Sequence, residues 1–147
     1  MFRGRYKNNV DPKGRISIPV RFREILLQKY DDHRVFVTNF DRCLLLFPYS
    51  EWIELENKAS KISMFNKESR AFIRFFFSSA AECPLDNQGR ILIPQSLRKY
   101  AELEKEVILL GALKKIEIWD KRRWDEEMEN LSNNIDAISE TISQLGL

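Results

Sequence analysis

The 147-residue sequence predicts an α+β fold: two tandem copies of one small module, joined by helices and followed by a long terminal helix. Three observations carry this. A ten-residue stretch occurs twice. The segments that follow each copy agree in order and type. The chain then ends in a polar segment with one apolar stripe at helical spacing.

The repeated stretch is Val10-Asp11-Pro12-Lys13-Gly14-Arg15-Ile16-Ser17-Ile18-Pro19 and then Leu85-Asp86-Asn87-Gln88-Gly89-Arg90-Ile91-Leu92-Ile93-Pro94, 75 residues later. Each copy reads as strand, tight turn, strand and helix start. Asp bonds its own backbone in such a turn, Pro12 fixes φ in the first copy, and Gly accepts a positive φ. The alternations Arg15 to Ile18 and Arg90 to Ile93 are strands. Pro19 and Pro94 stand where a helix can begin. Asp and Arg flank each turn four residues apart, where they can pair with each other or with the other copy.

Ahead of the first turn, Arg3, Arg5 and Lys7 alternate with Phe2, Gly4 and Tyr6. On a strand that puts three cations on one face. Lys13 and Arg15 add two more. The unit is either a β-ribbon lying on a phosphate backbone or groove, or a solvated basic edge strand. In the second copy the equivalents of Arg3, Arg5, Lys7 and Lys13 are Ser78, Ala80, Glu82 and Gln88. Only Arg15/Arg90 and Arg23/Arg98 stay basic, so an anionic partner should be met chiefly by the first module.

Val20 to Tyr30 is a short amphipathic helix, with Gln95 to Tyr100 as its counterpart. Strands follow at Arg34 to Asn39 and Leu44 to Phe47, matched at Glu106 to Leu110 and Lys115 to Trp119. The first copy has three extra residues around Asp31-Asp32-His33, which places the only His in a loop and gives the two Asp a solvating role. Pro48-Tyr49-Ser50 opens a helix with Ser50 as N-cap. A Phe-rich helix from about Asn66 to Ser78 joins the modules, with its rings in the core. From Asp120 the sequence predicts one long helix. Trp124, Met128, Leu131, Ile135, Ile138, Ile142 and Leu145 form a heptad seam on it. Its partner is either the 50–77 helices or a neighbouring subunit, and a homo-oligomer is expected. The divisions are 1–50 and 79–120 for the modules, 51–78 for the connecting helices and 121–147 for the terminal helix.

Composition sets limits. Hydrophobic residues are 44% and charged residues 31% of the chain, as in soluble globular proteins. No apolar run approaches the roughly 20 residues of a membrane span, and the N-terminus lacks a signal-peptide core. Cys43 and Cys83 are isolated and read as reduced, partly buried thiols of a cytoplasmic protein. The net charge of +2 hides an asymmetry: residues 1–78 carry +6 and residues 79–147 carry −4. From Trp124 onward there are six acidic groups and no Lys or Arg. A basic surface at one end points to a polyanion partner there.

Catalytic machinery is not expected. The sequence has no Gly-rich phosphate loop and no Ser-His-Asp or Cys-His set. One His and two scattered Cys do not make a zinc site. No cofactor, metal or small-molecule substrate is predicted.

At the two Asp-x-x-x-Arg turns, and at Met1-Phe2-Arg3-Gly4, the sequence resembles the MraZ family over its whole length. The resemblance implies two SpoVT/AbrB-like domains, each a ββαββ unit, packed as a pseudo-twofold swapped-hairpin β-barrel flanked by helices. It implies a cytoplasmic, nucleoid-associated, ring-shaped oligomer. The implied function is transcription regulation through sequence-specific binding of double-stranded DNA, at short direct repeats upstream of the division and cell-wall operon that contains its own gene. It places DNA contact at Asp11 and Arg15, with Asp86 and Arg90 as the second copy. To these the residue reading adds Arg3, Arg5, Lys7 and Lys13 on phosphate or base, with Asp11 orienting Arg15. Gln88 and Glu82 leave Arg90 either on DNA or completing the barrel or subunit interface. The competing expectation is an antitoxin-like or scaffold protein whose partner is another protein.

Overall fold

The computed structural model describes residues 1–30 and 33–147. The strands are β1 (Arg5–Asn9), β2 (Arg15–Ser17), β3 (Val35–Phe40), β4 (Cys43–Pro48), β5 (Ala81–Glu82), β6 (Arg90–Leu92), β7 (Glu106–Ala112) and β8 (Lys115–Asp120). The helices are α1 (Val20–Lys29), α2 (Tyr49–Ala59), α3 (Lys67–Phe72), α4 (Gln95–Tyr100), α5 (Lys121–Asn133) and α6 (Ile135–Gln144), and α3 continues as a π-helix over Ile73–Phe77. None of the described helices is long and apolar enough to cross a membrane.

Six strands form one antiparallel sheet in the order β1-β7-β8-β4-β3-β5, and β2 and β6 form a separate two-stranded ribbon. The sheet therefore has two edges and is not a closed barrel. β1 and β5 end it on opposite sides, while β2 and β6 satisfy each other instead of closing it.

The two halves of the chain are interlocked. β1 pairs with β7 of the second half, and β5 pairs with β3 of the first. Repeat equivalents meet in register: Ile16 faces Ile91 across the ribbon, and Leu45 faces Glu117 across the β4–β8 seam. A pseudo-twofold axis passes through both pairs.

Strand alternation gives the sheet two faces. On one, Val35, Val37, Leu44, Leu46, Val107 and Leu109 pack with the ribbon's Ile16 and Ile91, with Phe22 and Leu26 of α1 and with Leu97 of α4. On the other, Leu45, Ile108 and Trp119 pack under Trp52 of α2 and Phe76 of the π-helix, with Trp124 of α5 against them. The order is ribbon with α1 and α4, then sheet, then α2, α3 and α5.

Several local expectations change. Ser50 is not an N-cap: Pro48 occupies that position, and Ser50 lies in the first turn of α2. The Phe-rich segment is helical, but its last turn widens to i→i+5, with the Ser78 N–H donating to the Ile73 carbonyl at 3.2 Å. The wider turn lets Phe72, Phe76 and Phe77 all contact one another, whereas Phe75 is exposed beside Tyr100. The terminal helix is broken in two at Asn134, whose φ is −120° and whose side-chain amide donates to the Asn130 carbonyl at 2.9 Å. Asn133 and Asn134 are poor helix formers that compete for backbone groups. Trp124, Met128 and Ile138 are half-buried; Leu131, Ile135, Ile142 and Leu145 are exposed, Ile135 at 56% and Leu145 at 75%. His33 is an exposed loop residue, and Asp31 and Asp32 lie outside the described residues.

Cys43 and Cys83 are free and more fully buried than expected. They occupy opposite faces of the sheet. Burial pushes both thiols up, Cys83 to about 11. The thiolate is the reactive form. A thiol reagent at neutral pH should therefore label neither in the native protein and both in denaturant. Rapid labelling of native protein would contradict this burial.

Candidate nucleic-acid interface

Each Asp-x-x-x-Arg turn is a closed local device. The Gly14 N–H donates to the Asp11 carbonyl at 2.9 Å, with Gly14 at φ +86°. Asp11 Oδ1 accepts the backbone N–H groups of Lys13 (2.9 Å) and Arg15 (2.8 Å), and Oδ2 accepts Arg15 Nε at 2.6 Å. The second copy repeats this: Asp86 Oδ1 accepts from Gln88 and Arg90, both at 2.9 Å, and Oδ2 accepts Arg90 Nε at 2.8 Å. Each Asp thus pairs with the Arg of its own copy. Using Nε leaves the two terminal nitrogens of each guanidinium as a fork directed away from its Asp.

The backbone N–H of Arg15, more than its guanidinium, holds the Asp11 carboxyl below the usual aspartate value of 3.8, and Arg90 does the same for Asp86. Depressed carboxyls stabilise the fold fully above the unfolded value and lose that contribution as pH falls through the folded one. The acid limb of unfolding should therefore begin below about pH 4. It should flatten in the double variant Asp11→Asn, Asp86→Asn, as read by circular dichroism. An unchanged limb would show that neither carboxyl is linked to folding.

The ribbon brings the two turns together. Arg15 faces Leu92, and Arg90 faces Ser17. Arg15 and Arg90 are therefore diagonal neighbours, roughly 7–8 Å apart at the backbone. With Ile16 and Ile91 facing the core, the outward face is Arg15, Ser17, Arg90 and Leu92, the last 57% exposed. Lys13 is exposed in the first turn and Gln88 occupies the matching place in the second. Two further cations lie at the turns: Arg98 beside Gly14, and Arg23 beside Gly89. The two Asp neutralise Arg15 and Arg90, leaving Lys13, Arg23 and Arg98 as excess positive charge.

The predicted basic strand does not join this patch as one surface. Arg5 and Lys7 pair with Leu110 and Ile108, so their side chains lie on the α5 side, opposite the ribbon. Arg5 stands over the Trp124 ring at 5.0 Å, and Lys7 is ion-paired with Glu106 at 2.9 Å. Arg3 is exposed, beyond Gly4 with its φ of +93°. It lies about 20 Å of strand away from Asn9 at the far end of β1. Composition signalled the charge but not the face, because the break at Gly4 and the exchange of β1 onto β7 are tertiary.

The MraZ protein family model, described as antitoxin-like, matches residues 1–75 and again residues 76–145. The chain belongs to the MraZ family. It is 44% identical over all 147 residues to a protein of Caldicellulosiruptor saccharolyticus named transcriptional regulator MraZ, which is covered along its full length. Proteins of the same name from Halothermothrix orenii (43%) and Alkaliphilus metalliredigens (44%) match over the full length of both chains. The double match to the MraZ model agrees with the interlocked turns: each half supplies one Asp-x-x-x-Arg turn to the same ribbon.

Proposed function

We propose that the protein is a transcriptional regulator that binds double-stranded DNA with the outward face of the β2–β6 ribbon. The observation that carries this is the diagonal pair Arg15 and Arg90, each locked by its own Asp and flanked by Lys13. A two-stranded ribbon fits the major groove, and a forked guanidinium suits guanine. The names of the full-length relatives support the reading. Asp11 and Asp86 orient arginines rather than face DNA. Arg3, Arg5 and Lys7 are left for long-range attraction or for contacts made by other copies.

The target proposed is a set of short direct repeats upstream of the division and cell-wall operon, including the protein's own gene. The assembly proposed is a homo-oligomeric ring in the nucleoid, built from modules 1–50 and 79–120. The exposed α6 face, left uncovered by α2 and α3, supports contact with a neighbouring subunit. A ring engages several repeats at once, which raises affinity without new contacts. A second reading, supported by the same exposed face and the family's antitoxin-like description, is a protein partner held by α5 and α6. A stoichiometric partner retained on purification, with no preference for any duplex, would favour it.

The test is fluorescence anisotropy with a duplex from upstream of the gene against a scrambled duplex, across salt. We expect tighter binding of the upstream duplex and a log–log salt slope of about −0.9 per phosphate contacted. Equal, weak binding of both duplexes would remove the regulator reading.

A further inference from the structure

We infer that Arg98 and Arg23 are positioning residues that hold the DNA-reading turns crosswise, the second module's Arg98 setting the first module's turn. What the turn does rests on the DNA reading above; the clamp itself rests on geometry alone.

Three contacts define the clamp. A Cβ on Gly14 would lie 2.6 Å from Arg98 Cζ and 2.8 Å from its Nε, so the guanidinium lies directly against the turn where a side chain would otherwise be. Arg98 Nε donates to the Ile93 carbonyl at 3.0 Å, and the Ile93 N–H donates to the Gly14 carbonyl at 3.1 Å. Gly14 is thus gripped on two sides by the second module. The positive φ calls for glycine there, and a side chain at that position would displace the Arg98 guanidinium.

The pseudo-equivalent clamp is weaker. A Cβ on Gly89 would overlap Arg23 Cδ and Nη1, and the Ile18 N–H donates to the Gly89 carbonyl at 2.9 Å. However, Arg23 Nε is buried and has no hydrogen-bond partner among the described residues, whereas Arg98 Nε has one. A buried unpaired donor holds its group less well. The better-held turn is therefore the first, which carries Lys13 and Arg15. This gives the second module a reason to keep Gly, Arg98 and the Ile strand although it has lost most of the cations: it rigidifies the reading turn of the first.

The inference predicts crossed coupling. Arg98→Ala should weaken binding to the upstream duplex about tenfold, and Arg23→Ala by less than about threefold. In an Arg15→Ala background, Arg98→Ala should cost less than about twofold more. In an Arg90→Ala background it should keep its full effect. Arg98→Lys restores charge but neither the planar contact nor the Nε bond, so it should not rescue. Independently of DNA, Arg98→Ala should shift the amide resonances of Gly14 and Ile93 and leave Gly89 in place. Multiplying effects of Arg98→Ala and Arg15→Ala, or an unmoved Gly14 resonance, would overturn the inference. A moved Gly14 resonance in a protein that prefers no duplex would uphold the clamp and overturn the DNA reading instead.

Discussion

Arg15→Ala should lower affinity for the upstream duplex about 10- to 100-fold, consistent with the roughly 1–3 kcal/mol of one bidentate base contact. The scrambled duplex should lose far less, because phosphate attraction carries no sequence information. Arg90→Ala should act on the same scale. The ribbon places it diagonally next to Arg15, although its module has lost the other cations. Asp11→Ala provides a sign test. On charge alone, removing a carboxylate from a DNA-facing surface raises affinity. If Asp11 serves to fix Arg15 through Nε, affinity falls instead, and we expect a fall. Arg5→Ala, on the opposite side of the sheet, should change binding by no more than about twofold, through long-range electrostatics. A specific loss at Arg5 equal to that at Arg15 would mean that the reading surface lies on the α5 side.

Trp52→Ala should destabilise the fold by about 3–5 kcal/mol, the range for a large aromatic removed from a packed core. Trp52 is 1% exposed at the centre of the second core face. Its ring is stacked on Phe36 at 5.3 Å and on Phe76 at 5.8 Å, with Phe47 at 5.6 Å and Phe77 at 5.2 Å. The surrounding β3, β4 and π-helix are held by their own backbone hydrogen bonds. The urea midpoint should therefore drop while the m-value stays constant. Phe65→Ala is the control: Phe65 is 97% exposed, and its loss should stay within about 0.5 kcal/mol. A Trp52→Ala midpoint near that of wild type would show that the aromatic cluster adds little to the sheet.

Much of this was legible in the residues. The turn chemistry of Asp11 and Gly14 is local, and both copies form the expected turn. The pairing of each Asp with its own Arg is open in the sequence and is decided by the structure. The helices after Pro19 and Pro94, and strands β3, β4, β6, β7 and β8, fall within a residue or two of their predicted places. Proline, alternation and turn signals act over short distances. The seam from Trp124 to Ile142 is legible as an apolar stripe, but a break at Asn134 divides the helix that carries it. Two poor helix formers in succession were the available signal.

The sequence by itself determined the repeat, the two tight turns, the order of elements and the positive charge of the first half, because each depends on neighbours in the chain. Only the tertiary structure decided where those elements meet. It paired β2 with β6, so that Arg90 stands beside Arg15. It exchanged β1 onto β7, so that Arg5 and Lys7 face the helices. It also left the sheet open at β1 and β5. The physical reason is that a strand's alternation fixes which residues share a face but not which partner it pairs with or which side of the sheet that face meets. Those choices are made by burial of Ile16 and Ile91 in a core shared by both halves.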